Sequence, residues 1–316
     1  MSHPGESIVA VRGLRRSFGS TKAVDGLSFD VSRGEIFGLV GPDGAGKTTV
    51  MRILAGVLTA DSGSVEVAGC DVRRYPESVK SHISYMPQRF GLYENLSIDE
   101  NIAFYAGLFG VSRRQREEVA ARLLALTGLS RFRSRLAGKL SGGMKQKLAL
   151  ICALIHEPQL VLLDEPTTGV DPISRGELWH LLYELQAQAV TLLIATAYLE
   201  EAERCNELAL IHQGRLLACD KPEHLKRRMA GEVLRLVTPD PRSARDYLAA
   251  AEGVRNCVLI GDGIRLVVDN AELRMPELRS LMLQTELRFS SFEQVSPTIE
   301  DLFVAGAAGL LQGAPQ

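Results

Sequence analysis

The chain has 316 residues, with 36 Lys and Arg against 38 Asp and Glu and a formal net charge of −2. That length holds one large α/β domain plus a small one, and excludes two such large domains joined to a membrane domain. The balanced charge leaves no global basic footprint, so no nucleic-acid partner is expected.

From the N-terminus, residues 7–35 carry short alternating apolar runs around Gly13, Gly19 and Gly34, which predicts an antiparallel β region. Ile36-Phe37-Gly38-Leu39-Val40 is short and continuously apolar, the pattern of a buried strand. Directly after it, Gly41-Pro42-Asp43-Gly44-Ala45-Gly46-Lys47-Thr48 fits G-x-x-x-x-G-K-[ST], with Thr49 next. Val50, Ile53, Leu54, Val57 and Leu58 then recur at helical spacing, so a helix is predicted over 48–58. Glycine at 41, 44 and 46 lets consecutive N–H groups face one anion. The helix start adds its positive end. Lys47 supplies a charge for the terminal phosphates, and Thr48 Oγ can ligand Mg²⁺. An ordinary glycine-rich turn does not account for strand, helix, Lys and Thr together.

Gly63 to Gly69 reads as a strand bounded by glycines, and 97–157 reads as mainly helical, over Ile98 to Phe109, Arg113 to Leu126 and Ser141 to His156. Within Leu140-Ser141-Gly142-Gly143-Met144, Ser141 is an N-cap candidate, and Leu148, Ile151, Cys152 and Ile155 continue an apolar face. A Ser hydroxyl and two glycines at a helix start can hold an anion, or can simply cap the helix; spacing does not decide between them. Leu160 to Leu163 followed by Asp164-Glu165 reads as a buried parallel strand ending in carboxylates, at the strand end where ligands sit in such sheets. Asp164 would hold Mg²⁺, and Glu165 would polarise an attacking water. Val190 to Thr196 and Leu208 to Ile211 are further strands.

The character changes after Asp220-Lys221-Pro222-Glu223. Strand over Glu232 to Val237, helix over Ser243 to Ala251, a hairpin turning at Gly261-Asp262-Gly263, helix over Pro276 to Leu283 and strand over Glu286 to Phe292 make a β-α-β-β-α-β order. That order predicts a ferredoxin-like accessory domain at 226–305, behind a first domain at 1–225 and before a frayed Gly/Ala-rich tail at 306–316. It carries no catalytic constellation and reads as a packing or regulatory module. The basic runs at Arg113 to Arg116 and Lys226 to Arg228 read as solvated helix faces. Cys70, Cys152, Cys205, Cys219 and Cys257 show no metal-ligand spacing and read as free, mostly buried thiols of a reducing compartment. Met1 to Glu6 lacks the charged and apolar segments of a leader, and no window reaches ~18 continuous apolar residues, so a cytoplasmic chain attached to a membrane through a partner is expected.

The order of these strings resembles the ATP-binding cassette of ABC transporters, over roughly residues 7–225. The resemblance implies an α/β P-loop NTPase cassette with a β subdomain and an α-helical subdomain near 97–157. It implies ATP and Mg²⁺ as cofactors, bound by Gly41 to Thr49. Phe18 resembles the aromatic that stacks on adenine, Gln88 the glutamine that ligands Mg²⁺ beside the transporter contact, and Asp171 in Gly169-Val170-Asp171-Pro172 the D-loop acid. Ser141, Gly142 and Gly143 resemble the signature that contacts ATP held on a second cassette in a head-to-tail dimer. The ending Ser296-Pro297-Thr298-Ile299-Glu300-Asp301-Leu302-Phe303 is similar to that of ABC-2-type exporter cassettes. The string Leu136 to Lys147 is similar to the first cassette of tandem-cassette exporters of the YbhF type. ABC-2-type membrane permease subunits and a second cassette are the implied partners, with the permease surface near Gln88 to Leu96. The implied location is the inner face of the cell membrane.

Two positions depart from the family pattern. Asp43 stands where Asn is more usual. Ala197, in Thr196-Ala197-Tyr198-Leu199-Glu200-Glu201-Ala202-Glu203, stands where the family carries the switch His. The expected reading is an exporter ATPase subunit whose own site is slow. The alternatives are a cassette acting on ribosomes and an ATP-binding regulatory cassette with little turnover.

Overall fold

A computed structural model describes residues 6–261, 263–284 and 288–307. The chain opening, Asp262 of the expected hairpin, the first residues of the strand expected over 286–292 and the tail beyond 307 lie outside them. The chain divides into two compact units, Met1–Cys219 and Asp220–Gln316.

In the first unit, the long antiparallel strands β1 (Ser7–Phe18) and β2 (Thr21–Ser32) lead into β3 (Ile36–Val40) and helix α1 (Lys47–Leu54). β4 (Ser62–Val67), β5 (Cys70–Asp71), α2 (Pro76–His82) and β6 (Ile83–Met86) follow. The helical stretch is α3 (Ile98–Leu108), α4 (Arg113–Leu126) and α5 (Gly142–Leu154). β7 (Leu160–Asp164), α6 (Pro172–Ala187), β8 (Thr191–Thr196), α7 (Leu199–Ala202), β9 (Glu207–His212) and β10 (Arg215–Asp220) complete it. One sheet has the order β2-β1-β4-β5 and the other β10-β9-β3-β8-β7-β6. β3 runs parallel to both β8 and β9, and β7 runs parallel to β6 and β8.

Every residue of β3, β7 and β8 is buried, which is why these segments read as unbroken apolar runs. Their side chains alternate between two cores. Ile36, Val161, Leu163, Leu192 and Ile194 pack with the helical layer. Phe37, Leu39, Leu160, Leu162, Leu193 and Ala195 pack toward α1 and the antiparallel sheet. The three central strands therefore point their carboxyl ends, and the loops that follow them, to one edge.

Helix α1 ends earlier than the apolar spacing predicts. Gly56 takes φ +66°, Gly56 N donates to Ile53 O and Val57 N donates to Arg52 O, which closes the helix in a Schellman motif. Val57 is therefore turned out, 64% exposed, and is not part of the helix's buried face. The thiols also differ from expectation: only Cys152 and Cys205 are buried, while Cys70, Cys219 and Cys257 are half-buried, all five free.

The second unit contains α8 (Pro222–Arg227), β11 (Glu232–Val237), α9 (Pro241–Leu248), β12 (Val254–Ile260), β13 (Gly263–Val268), α10 (Ala271–Gln284), β14 (Ser291–Val295) and α11 (Ile299–Ala307). Its sheet order is β12-β13-β11-β14, and the paired strands are antiparallel throughout, which is the ferredoxin-like arrangement. α8 packs on α11, and the unit begins at Asp220, where the character of the sequence changes, ahead of the expected boundary at 225. α10 starts at Ala271, not at Pro276, because Asn270 Oδ1 accepts from Leu273 N and caps an earlier turn. The buried pair of Arg265 with Asp301, 2.7 Å, ties α11 to β13.

Candidate functional site

The loop between β3 and α1 is held in a shape only glycine permits. Gly46 is the N-cap of α1 with φ +105°, and Gly44 has φ +78°. A Cβ on Gly41 would run into the carbonyl oxygen of Ile211, and one on Gly46 into that of Ala23. The first N–H groups of a helix have no partner within it, and Gly46 makes no side-chain cap, so those at the start of α1 are left for an anion. Lys47 is only 4% exposed; its Nζ donates to Gly41 O at 2.7 Å and Pro42 O at 3.1 Å, and lies 3.3 Å from Glu165 Oε1. A buried ammonium under a ring of backbone donors fits a phosphate chain.

The carboxylates come from the far end of β7. Asp164 Oδ1 accepts from Thr48 Oγ1 at 3.1 Å, and Oδ2 accepts from the Tyr85 hydroxyl at 3.2 Å. Burial pushes Asp164 above the usual carboxylate range, against these two hydrogen bonds. Burial, with Asp164 beside it, pushes the Tyr85 phenol up to about 12. Glu165 follows with φ +52°, a left-handed conformation that costs a residue with a side chain and concentrates at functional positions. Its N–H donates to Ala195 O at 2.8 Å, and its Oε2 accepts from Gln88 Nε2 and Thr168 Oγ1, both at 3.1 Å. The carboxylate is thus held by Lys47 of α1, by Gln88 and by Thr168 of its own loop.

Together these groups enclose a cleft of about 590 Å³, with Ala23, Asp43, Gln88, Glu165, Ala197 and Tyr198 on its walls beside the loop. The structure therefore gathers Gly41 to Thr49, Gln88, Asp164 and Glu165 into one place. Phe18 does not line the cleft itself; it pairs with Thr21 at the start of β2, the strand that supplies the lining residue Ala23, and is 49% exposed with Arg16 stacked on it at 4.9 Å.

Ser141 to Gly143 and Asp171 form a different cluster. Ser141 caps α5, its Oγ accepting from Met144 N at 3.3 Å. Asp171 caps α6, accepting from Ser174 N at 3.0 Å, and that bond holds its carboxyl below its ordinary range. The two helix starts touch: a Cβ on Gly143 would lie 2.7 Å from Ser174 Oγ. Tyr85 and Thr168 were not singled out from sequence. Tyr85 stands at the end of β6 in the same string as Gln88, and Thr168 three residues after Glu165; those positions were the available signals.

Asp164 also sets a stability test. Its carboxyl binds a proton more tightly folded than unfolded, so stability falls as pH rises from about 3.8 through the raised value. At pH 7 the full penalty is present. Asp164→Asn is expected to raise the thermal midpoint of the nucleotide-free protein at pH 7, with the gain vanishing near pH 3. A midpoint at pH 7 equal to or below that of the unmodified chain contradicts this.

A family model described as "ABC transporter" matches residues 24–168. The "Probable multidrug ABC transporter ATP-binding protein YbhF" of Escherichia coli is 41% identical over 310 residues, covering 96% of this chain and 53% of that protein. The chain thus spans about half the length of that relative. The "Daunorubicin resistance ATP-binding protein DrrA2" of Streptomyces coeruleorubidus is 33% identical over 301 residues, covering 94% of each chain. A solved structure titled "Structure of ATP binding subunit of ABC transporter" superposes with a TM-score of 0.63 at 30% identity, over 70% of this chain and 92% of that one.

Proposed function

The chain belongs to the ABC transporter family, as one of its ATP-binding cassettes, and on that premise we propose that it is the Mg-ATP-hydrolysing subunit of an ABC-2-type exporter. The observation that carries the reading is the convergence of Lys47, Thr48, Gln88, Asp164 and Glu165, from three separate segments, on one glycine-lined cleft. The loop amides and Lys47 hold the phosphates. Thr48 Oγ1 and Asp164 would hold Mg²⁺, with Gln88 as a further ligand; the bound ion supplies charge neutralisation at the phosphates. Glu165 polarises the water, steered by Gln88 and Thr168. Ala197 offers only a methyl group at the cleft wall, so this site hydrolyses slowly. Ser141 and Gly142 are exposed at the start of α5, and Ser141 to Gly143 serve ATP on a second cassette in a head-to-tail dimer, with Asp171 beside them.

The permease subunits dock near Gln88 to Leu96. An adjacent apolar cleft of about 290 Å³, lined by Val57, Phe90, Tyr105, Leu108 and Phe109, suits an apolar helix end. No helix among the described residues is long and apolar enough to cross a membrane, in keeping with a peripheral place on the inner face. The second unit stabilises or regulates the assembly. A regulatory cassette with little turnover is the second reading, favoured by Ala197 alone.

Purification of the tagged chain from membranes is the test. Recovery of a multi-spanning protein that stimulates ATP turnover is expected. Co-sedimentation with ribosomes and no membrane partner overturns the exporter reading.

A further inference from the structure

The cleft's rim beyond β8 is held by a side chain that no role so far accounts for. Ala197 and Tyr198 line the cleft. Arg175, in the first turn of α6, places its guanidinium 4.3 Å from the centroid of the Tyr198 ring. The same guanidinium faces Glu201, whose side chain is only 2% exposed. Its Oε2 accepts from Thr196 Oγ1 at 2.8 Å, and Thr196 Oγ1 in turn accepts from Tyr198 N at 3.0 Å. Two buried polar atoms are left over, Glu201 Oε1 and Arg175 Nε, each without a hydrogen-bond partner among the described residues. They face each other at 4.0 Å.

A buried carboxylate is stable only beside a cation, and Arg175 is the cation that faces it. The same guanidinium covers an aromatic face, a contact that fixes ring orientation as well as adding attraction. Both partners of Arg175 therefore belong to the one segment, 196–201, that forms the cleft's rim. We propose that Arg175 is a positioning residue for ATP turnover, clamping the Ala197–Tyr198 rim to α6 through Tyr198 and Glu201. The clamp rests on the reading of the cleft as an ATP site. α6 begins at Asp171, and its Ser174 packs on Gly143 of α5, so the clamp joins the rim to the pair of helix starts offered to a second cassette. A shift of those starts is carried to the rim as a shift of Tyr198, without any contact between Arg175 and nucleotide.

The experiment pairs backbone amide exchange over 197–199 in the nucleotide-free protein with ATP affinity and single-turnover hydrolysis in the same preparations. Arg175→Gln is expected to speed exchange at 197–199 and to slow hydrolysis on the order of 10- to 100-fold, the cost of a small misplacement, with ATP affinity nearly unchanged. Tyr198→Leu gives a loss in the same direction, and the double variant loses less than the sum of the two, because both weaken one clamp. Tyr198→Phe, which keeps the ring, restores the slow exchange. Additive losses, unchanged exchange in folded Arg175→Gln, or affinity falling in step with turnover overturns the clamp. If Arg175→Gln does not fold, Tyr198→Leu decides: faster exchange at 197–199 with ATP affinity kept supports the clamp, and exchange like that of the unmodified chain overturns it. Failure of the unmodified chain to bind ATP would overturn the ATP reading while leaving the exchange result to judge the contact itself.

Discussion

Ala197→His is expected to raise the ATP turnover of the purified chain by roughly 10²–10³-fold, the value of one transition-state hydrogen-bond donor of about 2.7–4 kcal/mol. Position 197 lies on the wall of the cleft that also holds Lys47 and Glu165, directly beyond the end of β8. An imidazole there can donate where a methyl cannot, and Glu165 is already oriented by Gln88 and Thr168 to work with it. ATP affinity should change far less, because the loop amides and Lys47 are untouched. Steady-state hydrolysis with and without the substitution checks this. If ATP binds equally well to both forms and turnover does not rise, the missing donor is not what limits the site.

Lys47→Ala is expected to weaken ATP binding by about 3 kcal/mol, on the order of 10²-fold, the range for truncating one member of a buried charge pair. The ammonium is fixed from three sides, by Gly41 O, Pro42 O and Glu165 Oε1, so it is already placed where the terminal phosphates arrive. Removing it leaves Asp164 and Glu165 facing those phosphates with no protein cation between them, and like charges at that range repel. Titration with a fluorescent ATP analogue reads the loss, and a thermal scan of the empty protein separates it from unfolding. Equal affinity in the two forms would place the phosphates away from Lys47.

What could be read directly from the chain was whatever lies contiguous along it. The run Ile36 to Val40, the glycine loop and the run ending in Asp164-Glu165 each carry their own strand or loop signal within a few residues. The β-α-β-β-α-β order of the second unit was legible for the same reason, since a hairpin turn and two helices leave few ways to arrange four strands. Errors arose where one backbone conformation or one side-chain cap overrode the periodicity. Gly56 ends α1 although Val57 and Leu58 keep the apolar spacing, and Asn270 starts α10 ahead of Pro276. The site's orienting contacts were hidden for another reason. Tyr85 with Asp164, and Arg175 with Tyr198, meet only once parallel strands and their crossover helices are assembled, and nothing local to either residue announces the partner. The carboxylates, Thr48 and Gln88 could be found from sequence; Tyr85, Thr168 and Arg175 could not.

The fit of Gly143 against Ser174 bears on how such cassettes diverge. A methyl group at 143 would sit 2.7 Å from Ser174 Oγ and 2.8 Å from its Cβ, and both atoms belong to a helix fixed by its own cap. Gly143 therefore cannot gain a side chain alone without prying the two helices apart. Across a set of relatives, a larger residue at 143 should travel with a smaller one at 174, so a change at the first is tied to a change at the second through evolutionary time.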